Sequence, residues 1–145
     1  MAGMKRTVAR NHQLTGESAS NTKGPLSLDG LKAICNILIK SGNPEYIFAP
    51  AFLTLEWSLM ARADNCAISH MNHLEWHDNS LVIFFLHSKG DQKGMNRSEP
   101  WHIYSNPIFP CICPILALAK YLFTNPTLFK GNSRIFQEVT HIIDS

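Results

Sequence analysis

The chain has 145 residues, 45% hydrophobic and 17% charged, with a formal net charge of +2 at pH 7. That length and balance suit one globular domain with a real core, and the small charge neither demands nor excludes a polyanionic partner. No apolar run approaches the roughly 18–20 residues of a membrane-spanning helix, and residues 1–23 lack the hydrophobic stretch of a secretory signal, so no membrane partner and no export are expected.

Residues 1–24, rich in Asn, Ser, Thr and Gly, read as a flexible arm. Its thin basic cluster, Lys5, Arg6 and Arg10, suits a nuclear address or a nucleic-acid contact, although a solvated tail is the plainer reading. Order begins near Pro25. Ser27 caps a helix whose Leu28, Leu31, Ile34 and Leu38 recur at spacings of three and four, and Ser41-Gly42 ends it. Asn43-Pro44-Glu45 starts a second helix with a cap, a first-turn proline and an acid near the positive end of the dipole. It is expected to run to about Ala61, with Pro50 kinking it or splitting off its first turn. Phe52, Leu55, Trp57, Leu59 and Met60 make this helix apolar almost all round, hence central.

Asp64 or Asn65 is placed as the cap of a short third helix through Met71. The period then changes. Leu74-Glu75-Trp76 and the run Leu81 to His87 flank a turn, His77-Asp78-Asn79-Ser80, and form a hairpin. Ser88 to Ser98, with Gly90 and Gly94, is a loop, and Trp101-His102-Ile103-Tyr104 a third strand. Asn106-Pro107 and Phe109-Pro110 make a rigid connector. Cys113-Pro114 opens a last clear helix, with Ile115, Leu116, Leu118, Ala119 and Leu122 buried, and Asn125-Pro126 stops it. Thr127 to Ser145 shows no period. The expected class is α+β, mainly helical with a small three-stranded antiparallel sheet, in a domain over 25–136 followed by an irregular tail at 137–145.

Cys35, Cys66, Cys111 and Cys113 are read as reduced thiols of an intracellular protein, since Cys111 and Cys113 stand too close for a comfortable disulfide. His70, His73 and His77 with Cys111 and Cys113 make a zinc site imaginable, but Cys-x-Cys is a poor structural-zinc spacing and the histidines fall on strand and turn. No metal and no cofactor are expected. Trp57, Trp76 and Trp101 are capable of stacking on bases, though such residues more often pack in cores and sheets.

Arg62 closes the long apolar stretch, and Lys89 follows 27 positions later, just past the strand-like run Leu81 to Leu86. A guanidinium and a lysine on a strand-end turn can converge on one phosphate. The helix dipole also favours an arginine at a helix C-terminus, and a loop lysine also serves solubility.

Five segments in order carry a more specific signal: Trp57 to Asn65, His73 to Trp76, Phe84 to Gly94, His102 to Pro107, and Cys113 to Leu118. Together they resemble the catalytic domain of eukaryotic tyrosine recombinases, with the Crypton-type mobile-element recombinases as the nearest match, over residues 24 to 136. The resemblance implies the front half of that domain and a function in DNA recombination or integration in the nucleus. It implies that Arg62 holds the scissile phosphate and steadies transition-state charge. It implies that Lys89, with Lys93 as the alternative on the same loop, protonates the leaving oxygen. Arg62, Lys89, Lys93 and Arg97 would contact double-stranded DNA, with other protomers as further partners. The family's His-x-x-Arg motif and nucleophilic tyrosine have no counterpart: His141-Ile142-Ile143-Asp144 has an acid where arginine is required, and Tyr46, Tyr104 and Tyr121 come too early, in strand or core-like contexts. The chain is therefore expected to hold DNA without cleaving it. The alternative is a non-enzymatic DNA-binding or protein-interaction module derived from a mobile element.

Overall fold

Helix α1 spans Leu28–Lys40, and the Ser27 hydroxyl accepts the Gly30 N–H at 3.0 Å, the predicted cap. Ser41 closes it, and Gly42 turns the chain at φ 63°. The computed structural model describes residues 24–85, 99–130 and 132–139. Only Leu31 and Cys35 of α1 are fully buried. Leu28 and Ile34, expected inside, are exposed, because each stands roughly 60° round the helix from Leu31 and the partner surface is narrow. That surface consists of Leu53, Cys111 and Ile112.

Asn43 caps a 3-10 turn at Pro44–Tyr46 by accepting the Glu45 N–H, and α2 follows at Phe48–Leu59. Pro50 thus splits off the first turn. As the third residue of α2 its missing N–H costs no hydrogen bond. Ala51, Leu55 and Leu59 are buried, which makes α2 central, but Trp57 and Met60 face outward. Helix α3 is Ala63–Ala67, beginning earlier and ending sooner than the Asp64 or Asn65 cap implied, and a 3-10 turn at Met71–His73 takes up the remainder.

Strands β1 (Leu74–His77), β2 (Ser80–Ile83) and β3 (Trp101–Ile103) form an antiparallel sheet in that order. His77 pairs with Ser80, so the hairpin turn is the two residues Asp78-Asn79, with Asp78 in the left-handed region at φ 51°. The turn is tighter than the four residues read from the sequence. Helix α4, Pro114–Thr124, opens at Cys113 and stops at Asn125 as predicted, but Leu116 is exposed and Tyr121 takes a buried place instead. The architecture is α+β, mainly helical with one small antiparallel sheet, as expected.

The aperiodic C-terminal segment proves to be core. Leu128, Ile135, Phe136 and Val139 join Ala51, Leu55, Leu59, Ile83, Ile103 and Leu118 in one cluster. Packing therefore runs past residue 136, where the domain was expected to end. Phe136 meets Phe52 edge-on at 5.2 Å and stacks on Tyr121 at 5.4 Å. The Tyr121 hydroxyl donates to the Glu138 carboxylate at 2.8 Å.

Burial, reinforced by that bond to Glu138, pushes the Tyr121 phenol well above its ordinary 10.0. Burial, with the nearby Glu56 carboxylate, pushes the Cys66 thiol from 9.0 up to about 12. In both, the fold favours the protonated form. Their stabilisation is fully present below the ordinary values and is lost as pH rises through the folded ones. The urea midpoint is accordingly expected to fall steadily between pH 9 and 12. A midpoint unchanged over that window would show that neither group is buried in the folded state.

Candidate nucleic-acid interface

Arg62 owes its position to two local devices. The chain leaves α2 through Met60, a left-handed residue (φ 48°, ψ 31°) whose N–H bonds the carbonyls of Glu56 and Trp57. The Ala61 N–H also reaches the Glu56 carbonyl, at 3.2 Å. Arg62 is then extended, and its own carbonyl accepts the N–H groups of Asn65 at 3.0 Å and Cys66 at 3.3 Å, opening α3. The backbone is fixed on both sides while the side chain is exposed. Among the described residues no carboxylate pairs with Arg62.

The sequence placed Arg62 at the end of the long helix, where the dipole would favour a cation. It lies instead at the N-cap of α3, where the dipole offers a cation no benefit. Helix electrostatics therefore do not account for an arginine here.

Lys89, Lys93 and Arg97 lie outside the described residues, on the β2–β3 connection. The structure fixes the base of that connection. Ile83 pairs with Leu74 on one side and Trp101 on the other, and the Phe85 ring meets Trp101 edge-on at 6.2 Å. Ile83, the last residue of β2, and Trp101, the first of β3, thus stand level with Leu74, where β1 begins. Arg62 follows the last turn of α2, whose Trp57 and Ser58 line a cleft with Ile103 and Tyr104 at the other end of β3.

Beside the segment that leads into β1 lies a cation that the sequence reading missed. Residues 132–135 return beside His70: the Met71 N–H bonds the Ser133 carbonyl and the Ile135 N–H bonds the Ser69 carbonyl, both at 2.9 Å. This isolated bridge pairs His70 with Arg134, which is exposed and, among the described residues, has no carboxylate partner. Arg62 stands at the N-cap of α3, and Arg134 pairs with His70, three residues past its end. Nothing local announces Arg134, since its neighbour is 64 positions away in sequence (134 − 70).

The histidines have separate duties. His70 Nδ1 lies 3.2 Å from the Asn132 carbonyl, and His73 Nδ1 accepts the His70 N–H at 3.1 Å. His77, at the far end of β1, pairs with Asp78, while His102 Nδ1 meets the Ser80 hydroxyl at 2.8 Å. No three candidate metal ligands converge among the described residues. Trp57, Trp76 and Trp101 are substantially exposed rather than core. Tyr46 and Tyr104 are also exposed, so of the three tyrosines only Tyr121 has the core setting the sequence suggested for it.

Comparison with protein families, curated proteins and solved structures returns no match to this chain.

Proposed function

We propose that this chain is a duplex-DNA-contacting domain of tyrosine-recombinase type that holds a phosphate through Arg62 and the lysines of the β2–β3 connection, and that does not itself cleave the strand. The observation that carries the reading is Arg62, an exposed guanidinium without a described partner, on a backbone fixed by a left-handed break before it and a helix start after it. The element order supports it: central helix, arginine, short helix, three antiparallel strands with a lysine-bearing second connection, then a helix. A rigid base lets a guanidinium make two parallel bonds to phosphate oxygens without first being ordered.

Cleavage needs a free tyrosine hydroxyl beside the phosphate. Tyr121 is buried and committed to Glu138. Tyr46 and Tyr104 are exposed: Tyr46 ends the 3-10 turn before α2, and Tyr104 follows β3 and lines a cleft with Trp57 and Ser58 of α2, so it is the tyrosine that the test must address. The test is a nicked duplex that traps a covalent 3′-phosphotyrosyl product. The chain is expected to retain the duplex and give no adduct. An adduct that disappears in Tyr104→Phe or Tyr46→Phe would overturn the non-cleaving part of the reading. Failure to retain any duplex at low salt would overturn the whole.

A further inference from the structure

Helix α1 is the most weakly anchored long element of the fold. Of its thirteen residues only Leu31 and Cys35 are fully buried, in a small cluster separate from the main core. The opposing wall is the 3-10 turn at Pro110–Ile112, which brings Cys111 against that cluster. Two free thiols 76 positions apart in sequence (111 − 35) are thus gathered in the small cluster that packs α1 against α2 and this turn. Burial raises the Cys35 thiol, and Cys111 adds to the rise.

The two thiols differ in access. Cys35 is completely buried, whereas Cys111 is half-buried and lines an open groove of about 650 Å³ between the end of α1 and the outer face of α4. Leu38, Pro110, Leu116 and Phe123 also line it. Cys66 and Cys113 are both buried, and Cys113 is occupied as acceptor of the Asn106 N–H at 3.3 Å.

We propose that Cys35 and Cys111 form an intramolecular disulfide under oxidising conditions and that this bond fastens α1 to the turn in front of α4. The reactant is a low-molecular-weight disulfide such as glutathione disulfide. The Cys111 thiolate attacks one of its sulfurs, forming a mixed disulfide and expelling one glutathione thiolate. The Cys35 sulfur then attacks the Cys111 sulfur and expels the second. The protein loses two electrons and two thiol hydrogens, and glutathione disulfide becomes two glutathione thiols. Because Cys35 is buried, the second step proceeds when α1 opens locally, which its shallow anchoring permits. Closure of the bond removes that opening, so the device converts a loosely held helix into a fixed one.

The experiment titrates the full reduced chain with glutathione disulfide. Expected are loss of two of the four thiols without a change in molecular mass beyond two hydrogens, and a non-reduced peptide map joining the Cys35 and Cys111 peptides. Amide exchange through α1 should slow, and Tm should rise on the order of 10 °C for so long a closed loop. Cys111→Ser, at a half-exposed position that tolerates the change, should abolish all four effects, and Cys113→Ser should keep them. A Cys111–Cys113 bridge, a disulfide-linked dimer, a Cys111 mixed disulfide that never resolves, or four thiols still titratable would each overturn the proposal.

Discussion

Phe136→Ala is expected to lower the stability of the folded chain by about 3–5 kcal/mol, the range for removing a buried phenylalanine. Phe136 is fully buried and bridges two parts of the core, meeting Phe52 of α2 edge-on and stacking on Tyr121 of α4. Each such aromatic pair adds about 0.5–1.5 kcal/mol beyond its area. A domain's total stability is about 5–15 kcal/mol, so this single change should leave a much less stable chain, perceptible as an early urea midpoint by circular dichroism. Phe123→Ala is the control. Its ring is 81% exposed, and its loss should move stability by no more than about 0.5 kcal/mol. If Phe136→Ala were as mild as Phe123→Ala, the segment 132–139 would not be part of the core.

That residue also marks where sequence reading failed. Elements were legible where the start has a local chemical device: Ser27, Asn43-Pro44 and Cys113-Pro114 all open elements where expected, whereas α3, with no side-chain cap, begins off its expected place. The hairpin was legible because apolar runs flank a turn-forming pair. Thr127 to Ser145 carries no period, since Leu128, Ile135 and Phe136 reach the core from a 3-10 turn and from irregular chain that packs one residue at a time. Burial on α1 and α4 was misassigned for a related reason. Periodicity identifies an apolar stripe, but the width of the neighbouring surface decides how much of it is covered. Leu28, Ile34 and Leu116 fall outside that width.

The candidate site divides in the same way. Arg62 was visible in the sequence as a charge closing an apolar run, but its place at the start of α3 depended on the left-handed Met60, and nothing in the residue type announces that conformation. Arg134 was invisible, because what brings it to His70 is a pair of backbone hydrogen bonds from a distant segment. The two arginines are therefore placed by topology more than by motif: Arg62 immediately precedes α3, and Arg134 comes with the return segment beside His70. Asp64, in the first turn of α3, is the nearby acid in sequence and tempers the local field.

The strongest functional consequence is a steep salt dependence. Lys and Arg contacts to phosphate release condensed counterions, and log affinity for duplex DNA falls with log salt at about −0.9 per contact. Arg62, Lys89, Lys93 and Arg97 acting together give a slope near −3.6, so affinity should fall on the order of 100-fold between 50 and 200 mM salt. Arg62→Ala should flatten the slope by about 0.9 and weaken binding uniformly across sequences. Arg134→Ala should do the same if the return segment extends the surface around α3. Fluorescence anisotropy on one labelled duplex, at four salt concentrations for each protein, measures all of these slopes. A slope near zero would favour the protein-interaction reading, since apolar contacts release no counterions. A steep slope unchanged by Arg62→Ala would place the DNA elsewhere on the molecule, because an arginine whose charge does not enter the counterion balance is not touching a phosphate.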